Sequence, residues 1–275
     1  MPELPEVETV RRSLARHVVG KAIAAVVVRD RRLREIVAPR RLKRIAIGRR
    51  IVAVRRRAKY LLVDLEAGAS LLLHLGMSGR LRLAPKGERR RTHDHVIFGL
   101  DDGRELLFND PRRFGRVVAL EAGDEPTHPL LRALGVEPLG GDLDPRRLWA
   151  VSQRRRRPLK TFLLDSHFIV GIGNIYACEA LARARLSPFR PVGSLSLGEW
   201  RTLARAIRAT LTRAVADGGT TLKDFFDPDG NTGYFATRLA VYGRAGAACG
   251  RCGGPIRRLV QAGRATFFCP HCQRR

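Results

Sequence analysis

The sequence predicts an α+β protein in which an N-terminal antiparallel β-sandwich with flanking helices precedes a helical region and a zinc-ribbon hairpin. Three observations carry this prediction. Eight short segments before residue 121 are alternating or β-branched and are separated by turn signals such as Asp101-Asp102-Gly103. After residue 153 the apolar residues recur with helical spacing. Near the end, four cysteines are spaced C-x2-C-x16-C-x2-C.

The predicted strands are short enough, and numerous enough, for a two-layer sandwich. They are Ala22 to Val28, Ile51 to Arg55, Tyr60 to Leu65, Ser70 to Leu75, Gly79 to Leu83, Val96 to Leu100, Glu105 to Phe108 and Arg116 to Leu120. We predict a sandwich domain over 1–135, a Gly-, Pro- and Asp-rich linker over 136–152, a helical domain over 153–238 and a hairpin domain over 239–275.

The helices are predicted from apolar spacing and end signals. Pro5 suits a first helical turn, and Val7, Val10 and Leu14 share one face. Further along, Gly173 precedes a helix that begins near Asn174. The longest helix follows the capping-box pair Ser196 and Glu199, and Gly218-Gly219 end it.

The charge balance favours a nucleic-acid partner. The chain has 52 Lys and Arg against 26 Asp and Glu, a net charge of +26, which attracts a phosphate backbone. Charge alone does not distinguish DNA from RNA, and a GC-rich genome also raises arginine usage.

We expect no membrane span, because no hydrophobic run reaches ~20 residues, and no signal peptide, because the start is acidic. Together with the clustered cysteines, this predicts a cytoplasmic protein.

The first ten residues, MPELPEVETV, offer a reactive amine. Once Met1 is removed, the chain begins with the secondary amine of Pro2, and Glu3 stands beside it. An α-amino group has a pKa of roughly 8, so part of it is neutral and nucleophilic near pH 7. Such an amine can attack a sugar carbon and form an iminium. The alternative is that Met-Pro-Glu only begins an ordinary amphipathic helix.

The four cysteines are the strongest signal that needs no comparison. Cys249, Cys252, Cys269 and Cys272 have the spacing of a four-thiolate structural zinc site, and the hairpin between them is too short to fold without the ion. We therefore expect one structural zinc ion. The fifth cysteine, Cys178, is interpreted as a small buried residue. His271 lies within one pair and is a competing ligand, although four cysteines already complete a tetrahedron.

Several of these segments together resemble bacterial formamidopyrimidine-DNA glycosylase, a base-excision repair family. The resemblance runs from Pro2 to Cys272 through MPELPEVETVRR, RRRAKY, HLGMSGRL, DPRRFG, GIGNIYACEAL and the cysteine hairpin. It implies a helix-two-turns-helix domain in the second half. It also implies a bifunctional glycosylase and AP lyase that removes 8-oxoguanine and formamidopyrimidines from duplex DNA through a Schiff base on Pro2. The resemblance further implies that the partner is damaged double-stranded DNA, that the protein is a monomer, and that it is associated with the bacterial nucleoid.

The resemblance implies roles that the residues alone leave open. Lys59, one of only six lysines, is from sequence alone a phosphate contact; the resemblance makes it a catalytic proton carrier. His93 and His95 look like a metal half-site or an internal hydrogen-bonding pair, and the resemblance makes His93 a phosphate contact. From sequence alone, Met77 is interpreted as a residue of the hydrophobic core. The implied roles fall into four groups: catalysis for Pro2, Glu3, Lys59 and Arg264; DNA binding for His93, Arg112, Arg155, Lys160 and Asn174; filling of the void left by the everted base for Met77, Arg112 and Phe114; and base recognition for a loop over 220–234 that includes Thr220, Thr221, Lys223 and Tyr234.

Two alternative functions remain, and the sequence departs from the family pattern at one place. An endonuclease VIII-like enzyme would apply the same chemistry to oxidised pyrimidines, although that branch usually has Gly where this chain has Leu4. A non-catalytic zinc-ribbon DNA binder would leave no covalent adduct. The chain has Asn231-Thr232 where the resemblance predicts Lys-Pro, which puts the lesion preference in doubt. Glu179 is expected to support the site electrostatically.

Overall fold

The computed structural model describes residues 2–220 and 238–274, which form two compact units. The first unit contains the chain up to Arg132 together with residues 218 to 220. The second contains Ala133–Asp217 together with residues 238 to 274. Within the described residues, no helix is both long enough and apolar enough to cross a membrane.

The first unit is an antiparallel β-sandwich with two helices. Its elements are α1 (Leu4–Val18), β1 (Ile23–Val28), α2 (Pro39–Ala46), β2 (Ile51–Arg57), β3 (Tyr60–Leu65), β4 (Ser70–His74), β5 (Arg80–Pro85), β6 (Asp94–Leu100), β7 (Arg104–Asn109) and β8 (Arg116–Leu120). One sheet has the order β1-β6-β7-β5 and the other β2-β3-β4-β8, with antiparallel pairing throughout. All eight predicted strands are present, and the predicted sandwich is confirmed.

Alternation along the strands builds the core of the sandwich. In β3, Leu61 and Val63 point into the same apolar cluster as Val96 and Phe98 of β6. The predicted stripe of α1 is buried in this cluster as well. Helix α2 was not predicted, because its arginines hide a short apolar face, yet Pro39 at its start and the spacing of its buried residues carry that signal.

Two of the connections that cross between the sheets lie at related positions. The connection from β4 to β5 and the connection from β7 to β8 each leave one sheet and enter the other. Since β4 pairs with β8 and β5 pairs with β7, both crossings lie at the same end of these strands. This topology brings the tips of residues 75–79 and 110–115 together.

The second unit is helical and ends in a two-stranded hairpin. Its elements are α3 (Pro145–Ser152), α4 (Leu159–Leu163), α5 (Asn174–Ala184), α6 (Leu197–Ala216), β9 (Arg257–Gln261) and β10 (Arg264–Phe268). Helix α6 has the predicted capping box, in which Glu199 N–H donates to Ser196 Oγ over 3.2 Å. Helix α3, which Asp144 caps, lies inside the segment predicted as a linker. A hydrogen bond connects α3 to α6: Trp200 Nε1 donates to Ser152 Oγ over 3.1 Å.

Candidate catalytic and nucleic-acid site

The N-terminal residues are held by the start of α1. Glu3 and Glu6 form a reciprocal capping box, and Glu6 Oε2 accepts the Glu3 N–H over 2.8 Å. The other oxygen, Glu6 Oε1, accepts the Thr220 N–H over 2.7 Å. Both glutamates are buried, whereas Pro2 is half-buried. The segment that carries the predicted nucleophile is therefore anchored and not frayed. Met1 lies outside the described residues.

The role of Glu6 was missed by the sequence analysis. Its position near the helix start accounts for one of its hydrogen bonds, and a capping-box pattern was the available signal. Its bond to Thr220 joins residues 214 positions apart, which no local pattern encodes. Gly219 is equally confined, because an added Cβ would lie 2.9 Å from Glu6 Oε1.

Lys59 lies in the tight turn between β2 and β3. Ala58, the residue before it, is buried and has a left-handed φ of 55°. The guanidinium of Arg56 donates to Ala58 O over 2.9 Å and to Glu8 Oε2 of α1 over 3.2 Å. Glu8 also pairs with Arg11 and Arg12, and although burial acts to raise its pKa, those bonds hold the pKa below its usual value. The Lys59 turn is thus tied to the helix that carries Pro2.

His74, at the end of β4, is a second residue that the sequence analysis did not assign. Its ring centroid is 4.9 Å from that of Tyr60, and Nδ1 accepts the Gly76 N–H over 2.9 Å. Burial, together with the positive charges of Arg116, Lys59 and Arg34, lowers the pKa of His74 to about 4. His74 is therefore a neutral acceptor beside the Lys59 turn. The sequence signal that could have identified His74 is the motif HLGMSGRL, in which it lies three positions before Met77.

The three residues predicted to fill a void lie on the two neighbouring tips. Met77 and Phe114 are each 41% exposed, so each tip presents an apolar side chain to solvent. The Arg112 guanidinium carbon lies 4.9 Å from the centre of the Phe114 ring, a cation–π arrangement. The tips touch through their backbones, since a Cβ on Gly76 would lie 2.4 Å from Phe114 C. The geometry presents a wedge, and its insertion into DNA stays a prediction.

The residues around His93 do not form a metal site. His95 is buried with Nε2 2.9 Å from Asp110 O, and Asp94 is buried and accepts the Arg91 N–H and Asn109 Nδ2. Across residues 2–220 and 238–274, three or more side chains that could share a metal ion come together only at the four cysteines. His93 itself is partly exposed and its phosphate contact stays a prediction.

In the second unit, Asn174 and Lys160 both hold the hairpin. Asn174 Nδ2 donates to Ala265 O over 2.9 Å, and Lys160 Nζ donates to the same oxygen over 3.0 Å and to Thr266 Oγ1 over 2.7 Å. Arg264 precedes Ala265 and is exposed at the start of β10. These bonds fix the strand from which Arg264 projects. Asn174 Oδ1 is buried and has no hydrogen-bond partner among the described residues.

The position of Lys160 differs from the expected phosphate contact. The side chain is fully buried, and its ammonium is directed at the hairpin. Arg155, five positions earlier in the chain, is exposed instead, with its guanidinium carbon 5.1 Å from the Phe168 ring and Nε donating to Val151 O over 2.6 Å. Arg155 is thus accessible to solvent or phosphate, whereas Lys160 has a structural position.

Glu179 holds the backbone of residues 240–242. Its buried carboxylate accepts the backbone N–H groups of Ala240, Val241 and Tyr242 over 2.8 to 3.0 Å. Three amide donors satisfy and stabilise one buried carboxylate. The expected electrostatic support is therefore directed at the backbone that leads into the hairpin.

The four predicted metal ligands converge. The Sγ atoms of Cys249, Cys252, Cys269 and Cys272 all lie within 4.8 Å of one another, and those of Cys252 and Cys269 are 3.5 Å apart. Zinc–sulfur bonds of about 2.3 Å in a tetrahedron fit such separations. The cluster holds one structural zinc ion, and since all four positions are filled by sulfur, none is open for chemistry.

The predicted base-recognition loop falls mostly outside the described residues. Thr220 is described and buried, and its N–H bonds Glu6. Thr221, Lys223, Asn231, Thr232 and Tyr234 lie outside, so their roles stay predictions.

Comparisons with known proteins agree over the whole chain. Three family models match: the formamidopyrimidine-DNA glycosylase N-terminal domain over residues 1–117, its H2TH domain over 134–225, and a zinc finger found in FPG and IleRS over 246–275. The formamidopyrimidine-DNA glycosylase of Stenotrophomonas maltophilia is 50% identical over 274 residues, covering 100% of both chains. The crystal structure of MutM (Fpg) from Thermus thermophilus is 49% identical with a TM-score of 0.88, covering 99% of this chain and 98% of that one. A mutant Lactococcus lactis Fpg in complex with DNA containing Fapy-dG is 32% identical with a TM-score of 0.91 and full coverage of both chains.

Proposed function

The chain belongs to the formamidopyrimidine-DNA glycosylase family of bifunctional base-excision repair enzymes, and from that premise we propose that Pro2 is its nucleophile and oxidised purines in duplex DNA are its substrates. The observation that carries the proposal is the anchored N-terminal segment: Pro2 is half-buried and directly precedes Glu3, the buried N-cap residue of α1. A nucleophile has to be held in place if its reaction is to be fast.

The chemistry follows from these two groups. With Met1 removed, the neutral secondary amine of Pro2 attacks C1′ of the damaged nucleoside as the C1′–N bond to the base breaks, and the base leaves with the electron pair. The proton that the Pro2 nitrogen then loses neutralises the departing base. Glu3 supplies a proton to the sugar ring oxygen, which opens the ring and leaves an iminium between Pro2 and C1′. The iminium acidifies the C2′ proton, so that the 3′ phosphate and then the 5′ phosphate leave by β- and δ-elimination.

Lys59 and Arg264 serve the elimination steps in this proposal. Lys59 is a lysine and not another arginine, so that it can exchange a proton at working pH. The links from Arg56 to Glu8 and to Ala58 O support this role, because they tie the Lys59 turn to α1. Arg264 projects from a strand that Asn174 and Lys160 hold, which supports its role at the last phosphate.

Three further groups of residues bind the DNA, fill the gap in the duplex and cover the everted base. His93, Arg155 and Asn174 contact phosphates, which position the duplex without reading its sequence. The wedge of Met77, Arg112 and Phe114 fills the gap that the everted base leaves. The loop from Thr220 onward, with Thr221, Lys223 and Tyr234, covers the everted purine. The protein acts as a monomer on the nucleoid in the cytoplasm.

Borohydride trapping tests the nucleophile. Wild-type protein mixed with an 8-oxoguanine duplex and borohydride should give a covalent adduct whose mass maps to Pro2, and Pro2→Gly should lower the trapping rate by roughly a hundredfold. The control is Pro39→Gly, which makes the same substitution in the first turn of α2 and should trap normally. No adduct from the wild type, or an adduct on another residue, would refute the proposal.

Competition between lesions tests the substrate class. An excess of formamidopyrimidine duplex should suppress trapping on 8-oxoguanine far more than an equal excess of duplex with an oxidised pyrimidine. The opposite ranking would favour the endonuclease VIII-like alternative, while the Pro2 chemistry would stand.

A further inference from the structure

Asp110 occupies the junction between the two tips of the wedge. Its side chain is fully buried. Oδ1 accepts the Ser78 hydroxyl over 2.6 Å, and Oδ2 accepts the Gly115 N–H over 2.7 Å. Ser78 Oγ in turn accepts the Arg112 N–H over 3.1 Å. One carboxylate and one hydroxyl therefore connect the tip that carries Met77 to the tip that carries Phe114.

Close backbone packing leaves the two tips little room to slide. Gly76 has a left-handed φ of 60°, and a Cβ there would lie 2.6 Å from both Gly115 N and Phe114 O. A Cβ on Gly115 would lie 2.5 Å from Phe108 Cζ and 2.9 Å from Asp110 Oδ2. The hydrogen bonds of Asp110 are thus made at a place where the backbones already interlock.

We propose that Asp110 and Ser78 are positioning residues that hold the wedge in its inserting geometry before DNA is opened. This inference rests on the proposed function and extends it to residues that do not touch the substrate. Long side chains such as Met77 and Arg112 lose rotamer freedom on insertion, and an additional loss of backbone freedom would weaken the wedge further. A clamped pair of tips has already lost that backbone freedom in the folded protein.

We call the hydrogen-bonded pair Asp110 and Ser78 the clamp. Its effect is expected only when a base has to leave a duplex. Eversion requires a few kcal/mol of unstacking, which the wedge offsets by filling the gap. An abasic site in single-stranded DNA has neither a base to evert nor a partner strand to support. Trapping on that substrate therefore reports the Pro2 chemistry without the wedge, and the ratio of the two trapping rates isolates the clamp.

The test compares trapping rates of Ser78→Ala, Ser78→Thr and the wild type on an 8-oxoguanine duplex and on a single-stranded abasic oligonucleotide. Removing a hydrogen bond to a charged group should lower the duplex rate of Ser78→Ala roughly tenfold and change its single-strand rate less than about twofold. Ser78→Thr keeps the hydroxyl and should restore the duplex rate. Asp110→Asn keeps one acceptor and should show the same selective loss, and thermal unfolding of each variant verifies folding.

Each outcome decides the proposal. A selective duplex loss in Ser78→Ala that threonine restores would support it. Equal losses on both substrates would show that Ser78 and Asp110 only stabilise the fold, and wild-type rates on both would show that the clamp is dispensable; either result overturns the inference while the proposed function stands. A wild type that traps neither substrate would overturn the proposed function, and the clamp with it.

Discussion

Glu6 Oε1 accepts the backbone N–H of Thr220 over 2.7 Å, although the two residues are 214 positions apart. The same carboxylate accepts the N–H of Glu3, so one buried side chain connects the start of the chain to Thr220, the first residue of the predicted recognition loop. Glu6 thereby connects the segment that carries the proposed nucleophile Pro2 to Thr220.

Glu6→Gln should weaken this connection. Glutamine has one acceptor oxygen, so its amide nitrogen would face one of the two backbone donors. We expect the free energy of unfolding to fall by about 1–3 kcal/mol, measured by urea denaturation, and the trapping rate on 8-oxoguanine duplex to fall roughly tenfold. Ser196→Ala removes the cap of α6 at a similar stability cost of about 1 kcal/mol and should leave trapping unchanged. Equal trapping by both variants would contradict a role for Glu6 beyond stability.

Lys160 and Arg155 should respond differently to salt. Arg155 is exposed, and if it contacts phosphate, Arg155→Ala should reduce the slope of log affinity against log salt by about 0.9. Lys160 is buried against Ala265 and Thr266, so Lys160→Met should weaken binding by loosening the hairpin and leave the slope unchanged. Fluorescence anisotropy with an abasic-analogue duplex between 50 and 200 mM salt, roughly the range over which such slopes are resolved, measures both. A slope reduced by about one in Lys160→Met would restore the phosphate contact predicted from sequence.

His74 should make the stability of the protein depend on pH. Its pKa in the folded state is about 4, against an ordinary value of 6.5, so between these values the unfolded chain binds more protons. The free energy of unfolding should therefore fall as the pH falls through this window, by up to about 1.4 kcal/mol per pH unit. His74→Asn keeps an acceptor for the Gly76 N–H but does not titrate, and urea denaturation from pH 7 to pH 4 should give a shallower slope for it. Parallel curves for variant and wild type would refute this assignment.

Zinc should be required for the hairpin and for DNA binding. Elemental analysis should find one zinc ion per chain, and Cys269→Ala should lose it, because a thiolate ligand is removed from a complete tetrahedron. We expect its affinity for abasic-analogue duplex to fall more than about tenfold, since the strand carrying Arg264 loses its fold. Cys178→Ala changes the buried cysteine outside the cluster and should keep both zinc and affinity. Full affinity in zinc-free Cys269→Ala protein would show that the hairpin folds without the ion.

Local features of the sequence determined most of the secondary structure. Strand alternation predicted β1 to β8, and Ser196 with Glu199 predicted the start of α6, because these signals depend on residues a few positions apart. Cysteine spacing predicted the zinc site for the same reason, since each pair binds from one short turn. Helix α2 was missed because its short apolar face lies among arginines.

Tertiary structure decided what the polar side chains do. The sequence identified Lys160 as a cation, but only the packing of α4 against β10, 105 positions later, shows that its ammonium is buried in hydrogen bonds. Likewise, Asp110 meets Ser78 because two crossings between sheets bring their tips together, and Glu6 meets Thr220 across nearly the whole chain. Sequence periodicity specifies which face of an element is buried. It does not specify which distant element covers that face, and a buried polar group takes its partner from that element.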